Sequence, residues 1–465
     1  MKSIPLLITC LGLACASSFA AAPTKPNIVI IVADDQGYAD ISFNPYHPKE
    51  VATPHMDALA REGVFFSQGY ATCHVCSPSR AAILTGRYQQ HVGIYTAGEG
   101  GSGLALSEEI FPQFLKPAGY VSAAFGKWHL GLTKEYSPCA RGFDEFYGFL
   151  GRGAHDYFNL SNPKSPIYRN FEPTNDAGYL TTKLTAEAVN FIERNKAKPF
   201  FMYLAYNAVH APQQAPQADI DRYARLFPDI GRDRQILMAM LYHLDEGVGA
   251  LVKKLKDERL FDNTLIFFLS DNGGSKAMSA CNAPLRGFKQ QDYEGGVRVP
   301  FIASWPKGFK GGRILDSPVS ALDILATSLA AADIPAPTAK PLEGLNLLPL
   351  LAEGKPLPAR TLYWSTGSDD GWWSVLSGSY KPVIYRDHVE LFDLSNDLRE
   401  TNDLAKVMPE KVAEITGLHH AWLETMTDPM KSAAKEWTPD LAKKIESKQE
   451  RKKNKNKKPE DADLD

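Results

Sequence analysis

Ten side chains in this sequence are of types that do chemistry, and most of them follow apolar runs. Asp34 and Asp35 end "NIVIIVADD", and Asp271 and Asn272 end "TLIFFLSDNGG". Lys127 and His129 end "YVSAAFGKWH", and His210 ends "PFFMYLAYNAVH". Hard oxygen ligands grouped this way suit Ca2+ or Mg2+, and a cation would relieve the repulsion between adjacent carboxylates. The same "DDQG" and "DNGG" stretches are also good turn sequences, so spacing alone leaves the metal and the turn readings about even. Lys127, His129, His210 and Lys289, gathered in one cleft, would bind a tetrahedral anion and move protons.

The stretch "ATCHVCSPSRAAILTGR" holds a C-x-x-C pair, Cys73 and Cys76, ahead of Pro78, Arg80 and Gly86. Pro78 suits the first turn of a helix and Gly86 its C-terminal cap. Cys76 would then lie at a helix N-terminus, where amide dipoles lower a thiol pKa. Taken alone the pair could be a dithiol. No second cysteine pair is present to complete a zinc site.

These groups need elements that bring them together. Continuous β-branched and aromatic runs suit strands buried on both faces. Between them lie helical patterns starting at Thr53, Tyr179 and Arg234. Strands alternating with helices predict an α/β fold with a mainly parallel sheet, whose ligands bind beyond the carboxyl ends of the strands. After about Asp333 the pattern changes. "TLYWS", "WWSVLSGSYKPVIY" and "VELFDLSND" predict a small antiparallel sheet, followed by a helix in "PEKVAEITGLHHAWLETM".

Composition sets further bounds. The 465 residues exceed one core, which favours a large domain with a smaller companion. The net charge of −3 gives no reason to expect a nucleic-acid partner. Lys443 to Lys458 carries nine Lys/Arg and two Glu, a local +7 that leaves −10 elsewhere. Such an end cannot bury enough apolar surface to fold, and residues 441–465 are expected to be a disordered, charged tail. Residues 1–22 read as a secretory signal peptide, with no later transmembrane segment, so the expected location is periplasmic or secreted. A lipoprotein anchored through Cys15 is disfavoured, because Gly12 stands where an aliphatic residue is needed. Cys73, Cys76, Cys139 and Cys281 remain, with their pairing open.

C-S-P-S-R at Cys76 to Arg80 matches the C-x-P-S-R signature of type I sulfatases, in the arylsulfatase and N-acetylgalactosamine-sulfatase branch. "LTGRYQQHVG", "GKWHLG", "RGFDEFYGFL", "SDNGG", "LRGFKQQDYEGGVRVP" and "ELFDLSNDLRETNDLA" resemble further blocks of that family, in order, between Lys25 and Leu404. The resemblance implies an alkaline-phosphatase-like catalytic domain, placed at 23–345, and a C-terminal α+β subdomain at 346–440 with an antiparallel sheet. It implies that a formylglycine-generating maturation enzyme converts Cys76 to formylglycine, leaving Cys73 an accidental neighbour. Asp34, Asp35, Asp271 and Asn272, with residue 76, would hold one Ca2+, with Mg2+ the second choice. Arg80 would orient the aldehyde hydrate, Lys127 and Lys289 would bind sulfate, His210 would protonate the leaving alcohol, and His129 would serve as base. His155 and Asp156, with Tyr157, fall where related enzymes carry a variable substrate loop; a packed surface loop is the equal alternative. Phe288 stands where a small residue is expected and narrows the pocket. The substrate implied is an organic sulfate ester, a sulfated carbohydrate by preference. The competing readings are a phosphonate monoester or phosphodiester hydrolase using the same residue, and a non-catalytic glycan-binding protein with Cys76 unmodified.

Overall fold

A computed structural model describes residues 25–429, apart from 101–102, 152, 164 and 369–370. The signal segment 1–22, Cys15 and the tail 441–465 lie outside the described residues.

Four of the apolar runs are neighbouring strands. Thr264–Ser270, Asn27–Ala33, Phe200–Ala205 and Val121–Lys127 lie side by side at the centre of a ten-stranded sheet, all parallel. Register aligns their ends: Ala33 pairs with Ser270, Val32 with Ala205, and Ala205 with Gly126. The residues just beyond these ends are therefore delivered to one edge. The continuous apolar spelling has a direct cause. Ile28, Ile30 and Val32 enter one core, while Val29, Ile31 and Ala33 enter the other. On one face pack the helices Pro54–Glu62, Leu180–Asn195 and Arg232–Asp257; on the other, Cys76–Thr85, Phe111–Leu115 and Asp323–Ala331. Glu145–Phe149 extends the parallel array. On the opposite side Phe301–Ser304 runs antiparallel to Thr264–Ser270, so the sheet is mixed.

A separate sheet of Thr361–Ser365, Trp372–Ser377, Tyr380–Tyr385 and His388–Asp393 is antiparallel throughout, and Ile415 of helix Pro409–Leu423 packs on it. Just past the expected boundary at 345/346, Leu347, Leu350 and Leu351 lie in the main core with Ile324 and Leu325, so helix Leu348–Glu353 packs with the large unit. The two units are joined by buried charge. Lys381, fully buried on the small sheet, bonds Glu294 of the large unit at 2.7 Å and lies 3.7 Å from Glu400.

Candidate active site

The turn after Ala33 carries Asp34 and Asp35, both buried. Asp35 has φ +63°, in the left-handed region that costs a non-glycine residue energy. It is held there because its N–H reaches Asp271 Oδ1 at 3.3 Å and its Oδ1 accepts from Asn272 Nδ2 at 2.8 Å. His129 is likewise left-handed, at φ +58°, with its carbonyl accepting from Ser77 Oγ at 2.7 Å. Backbone strain at two of the ten residues marks a place where position outranks local comfort.

Cys76 begins helix Cys76–Thr85, as its sequence predicts, and Gly86 closes it at φ +65°. One turn on, Arg80 is fully buried; its Nε and Nη2 donate to Asp271 Oδ2 at 2.9 and 2.7 Å, and its Nη1 to the Lys127 carbonyl at 3.1 Å. This guanidinium fork fixes the helix against two strand ends. Lys127 Nζ meets Asp34 Oδ2 at 2.6 Å, with both side chains fully buried. Lys289 Nζ lies 2.6 and 2.9 Å from the two oxygens of Asp35 and 3.3 Å from Cys76 Sγ. His210 Nε2 is 3.7 Å from Asp35 Oδ2.

Two oxygens are left over. Asp34 Oδ1 and Asn272 Oδ1 are buried and make no hydrogen bond among the described residues. Asp34, Asp35, Cys76 and His210 bring one ligand-type atom each to within 4.8 Å of one another. A buried carboxylate oxygen and a buried amide oxygen without partners are costly unless something fills the position, and hard oxygen donors fit a calcium-type cation.

Electrostatics follow the packing. Burial opposes ionisation of Cys76, but Lys127 and Lys289 outweigh it and bring the thiol down to about 6. Burial also works against the charge on His210; the Asp34 carboxylate, with further help from Asp35, outweighs it and raises the imidazole to about 9. His129 goes the other way: burial, then Lys127 and Arg80, hold it well below the ordinary range and keep it neutral. The two imidazoles therefore differ: His210 is biased toward its protonated form and His129 toward its neutral form.

All ten expected metal and catalytic residues therefore converge at the carboxyl edge. The three loop residues lie beside them, with their hydrogen bonds going to backbone groups and to Gln214. His155 is buried, its two ring nitrogens 2.6 and 2.8 Å from the Asp156 and Ser165 carbonyls. Asp156 accepts from Phe158 and Asn159 amides and from Gln214 Nε2. Tyr157 is fully buried and donates to the Asn207 and His210 carbonyls. His155 and Tyr157 are thus engaged inside the protein, Tyr157 holding the His210 loop, while the partly exposed Asp156 is engaged by its own loop and Gln214. The loop does approach the site through Gly153, where a Cβ would stand 3.3 Å from the His129 ring.

Two contacts had no signal in the sequence. His74 Nδ1 lies 2.5 Å from Asp292 Oδ1, and the His74 carbonyl accepts from Gln290 N–H at 3.0 Å. Together they tie the loop before Cys76 to the loop carrying Lys289. The C-x-x-C pair is not a disulfide; Cys73, Cys76, Cys139 and Cys281 are all free.

Residues 26–334 match the family model described as Sulfatase. The chain is 34% identical over 392 residues to N-acetylgalactosamine-6-sulfatase of Canis lupus familiaris, covering 78% of this chain and 72% of that protein. It is 29% identical over 500 residues to the uncharacterized sulfatase YdeN of Escherichia coli (strain K12), covering 89% and 88%. Among solved structures, Ps i-CgsB in complex with k-i-k-neocarrahexaose superposes with a TM-score of 0.82 at 34% identity, covering 92% of this chain and 97% of that one. The family model spans every strand end that feeds the site: the chain belongs to the sulfatase family, and it is a sulfate-ester hydrolase.

Proposed function

We propose that this enzyme removes sulfate from a sulfated glycan, using residue 76 as a formylglycine. The observation that supports the reading most is the convergence on Cys76 Sγ: Lys289 Nζ at 3.3 Å, with Asp34, Asp35 and His210 around it. Support for a glycan comes from the relatives, one named N-acetylgalactosamine-6-sulfatase and one solved with neocarrahexaose. A separate maturation enzyme would replace the thiol and one hydrogen by a carbonyl oxygen, supplying the oxidant for that two-electron step.

Asp34, Asp35, Asp271 and Asn272, with residue 76, would hold one Ca2+; the unpartnered Asp34 Oδ1 and Asn272 Oδ1 fit that purpose. Once bound, the ion lowers the pKa of a neighbouring hydroxyl and offsets negative charge. Lys127 and Lys289 then bind sulfate oxygens, and Arg80 fixes Asp271 and the helix that carries residue 76. One hydroxyl of the aldehyde hydrate loses its proton to solvent water at the lowered pKa, and its oxygen attacks sulfur. The bond from sulfur to the glycan oxygen breaks, and protonated His210 gives its proton to the departing alcohol. Neutral His129 takes the proton of the second hydroxyl. The C–O bond to sulfate breaks, and the aldehyde returns.

Cys76→Ser tests this ordering. A serine has one hydroxyl and no route to expel sulfate, so a single turnover followed by arrest is expected, read as one equivalent of alcohol released per enzyme. Sustained turnover by Cys76→Ser near the parental rate would overturn the reading.

A further inference from the structure

A concavity opens at the same edge of the sheet. It is a cavity of about 440 Å3 whose walls include Ile230, Arg234, Ser279, Cys281, Leu285 and Phe288. That volume lies within the range of about 300–1,000 Å3 usual for ligand pockets.

Its position is set by the chain. Helix Arg232–Asp257 ends six residues before strand Thr264–Ser270 begins, so its last turn is at the amino edge of the sheet and its first turn, with Arg234, is at the carboxyl edge. The loop after His210 is tied to that first turn, because Gln213 Nε2 donates to the Asp233 and Met278 carbonyls at 3.1 and 3.3 Å. The Cys281 wall is built on the turn after Asp35: Ala39 N–H donates to the Cys281 carbonyl, and Cys281 N–H to Asp40 Oδ2, both at 2.9 Å. Phe288 immediately precedes Lys289, and neighbouring Cα atoms are about 3.8 Å apart. The cavity is thus one residue from the sulfate-binding lysine.

Its chemistry is that of an uncharged, partly apolar ligand. Ile230, Leu285 and Phe288 give it apolar walls. Arg234 is already held by Asp40 at 2.7 Å and Glu50 at 3.0 Å, so this group is formally −1 and would oppose a second sulfate. Lys276 Nζ lies 5.9 Å from the Phe288 ring centroid. A sugar ring has C–H faces that suit an aromatic wall and hydroxyls that suit the Ser279 hydroxyl.

We propose that this cavity is a subsite for an uncharged sugar unit adjoining the sulfated one, with Phe288 as its stacking wall. The proposal rests on the glycan reading above. It would make the enzyme prefer sulfate on an oligosaccharide to sulfate on a small ester.

Cys281 supplies a probe within the wall, as a half-buried free thiol, and Cys139, also half-buried and free, lies outside it as an internal control. Alkylation of both by N-ethylmaleimide is followed by peptide mass spectrometry on the metal-loaded enzyme, with neocarrahexaose, with 4-nitrophenyl sulfate, or with neither. With oligosaccharide at ten times its dissociation constant, mass action leaves roughly a tenth of the sites open, so Cys281 should be alkylated about tenfold more slowly, with Cys139 unchanged. 4-Nitrophenyl sulfate should not protect, and Phe288→Ala should lose most of the protection by the oligosaccharide. If neocarrahexaose is desulfated while Cys281 alkylation is unchanged, the subsite is overturned and the glycan reading stands. Equal protection by 4-nitrophenyl sulfate also overturns it. If neocarrahexaose is neither desulfated nor protective while 4-nitrophenyl sulfate is turned over, the subsite is overturned, and the glycan reading falls with it only if a 6-sulfated N-acetylgalactosamine oligosaccharide also goes undesulfated.

Discussion

Lys289→Ala separates catalysis from stability more cleanly than other changes in the site. The ammonium lies 3.3 Å from Sγ of residue 76. A unit charge about 4 Å from charge developing on a transferring sulfate contributes about 4 kcal/mol at an effective dielectric constant of about 20. Each ~1.4 kcal/mol is tenfold in rate, and removal of one preorganised donor costs about 10²–10³ in comparable sites. The expected loss in kcat/KM is therefore about 10²–10³. The side chain is 11% exposed, so water can enter beside Asp35, which also keeps Asn272 as a partner. Stability should fall by less than in Lys127→Ala, where both partners are fully buried. Lys127→Ala makes the contrast: it strips a fully buried partner from fully buried Asp34, a change worth about 3–5 kcal/mol when nothing compensates. The assay is steady-state hydrolysis of an aryl sulfate by metal-loaded enzyme, beside calorimetric Tm for both variants. Retention of activity within fivefold by Lys289→Ala, or a fall in its Tm as large as that of Lys127→Ala, would refute the assignment.

Asp271→Ala removes both a proposed metal ligand and the anchor of Arg80, so elemental analysis should find calcium falling from one per chain to none, with activity lost; stoichiometric zinc and full activity in the variant would contradict the metal assignment. The charge cluster joining the two units gives a pH prediction. Burial raises the Glu400 carboxyl from 4.5 to about 8, despite Lys381. The folded state therefore holds a proton that the unfolded chain releases, and stability falls as pH rises from about 4.5 through about 8. Glu400→Gln should flatten that part of the Tm–pH curve, and parallel curves for the two proteins would sink the idea.

The central strands were legible because burial on both faces leaves no polar alternation to disguise them. Their ends were legible because a parallel sheet delivers the residues after each strand to one edge. Phe301–Ser304 was not, since four residues after Pro300 carry too little pattern to show a strand or its direction. The reach of the large core past residue 345 was not legible for a related reason. "IPAPTAKPLEG" looks like a linker, yet the chain continues on the surface of the same core and adds Leu347, Leu350 and Leu351 to it. Loop residues 155–157 were chemically suggestive, but composition does not say which way a side chain faces, and here His155 and Tyr157 are buried while Asp156 stays partly exposed. The His74–Asp292 pair joins residues 218 apart in the chain, a contact that only the fold creates.

Turnover in this mechanism depends on the chemical state of residue 76. The most direct measurement is the mass of the proteolytic peptide containing residue 76, from enzyme whose sulfatase activity has been recorded. Conversion to formylglycine predicts a loss of about 18 Da relative to the cysteine peptide, in a fraction that tracks specific activity across preparations. Full activity in a preparation whose peptide carries only unmodified cysteine would contradict the formylglycine mechanism.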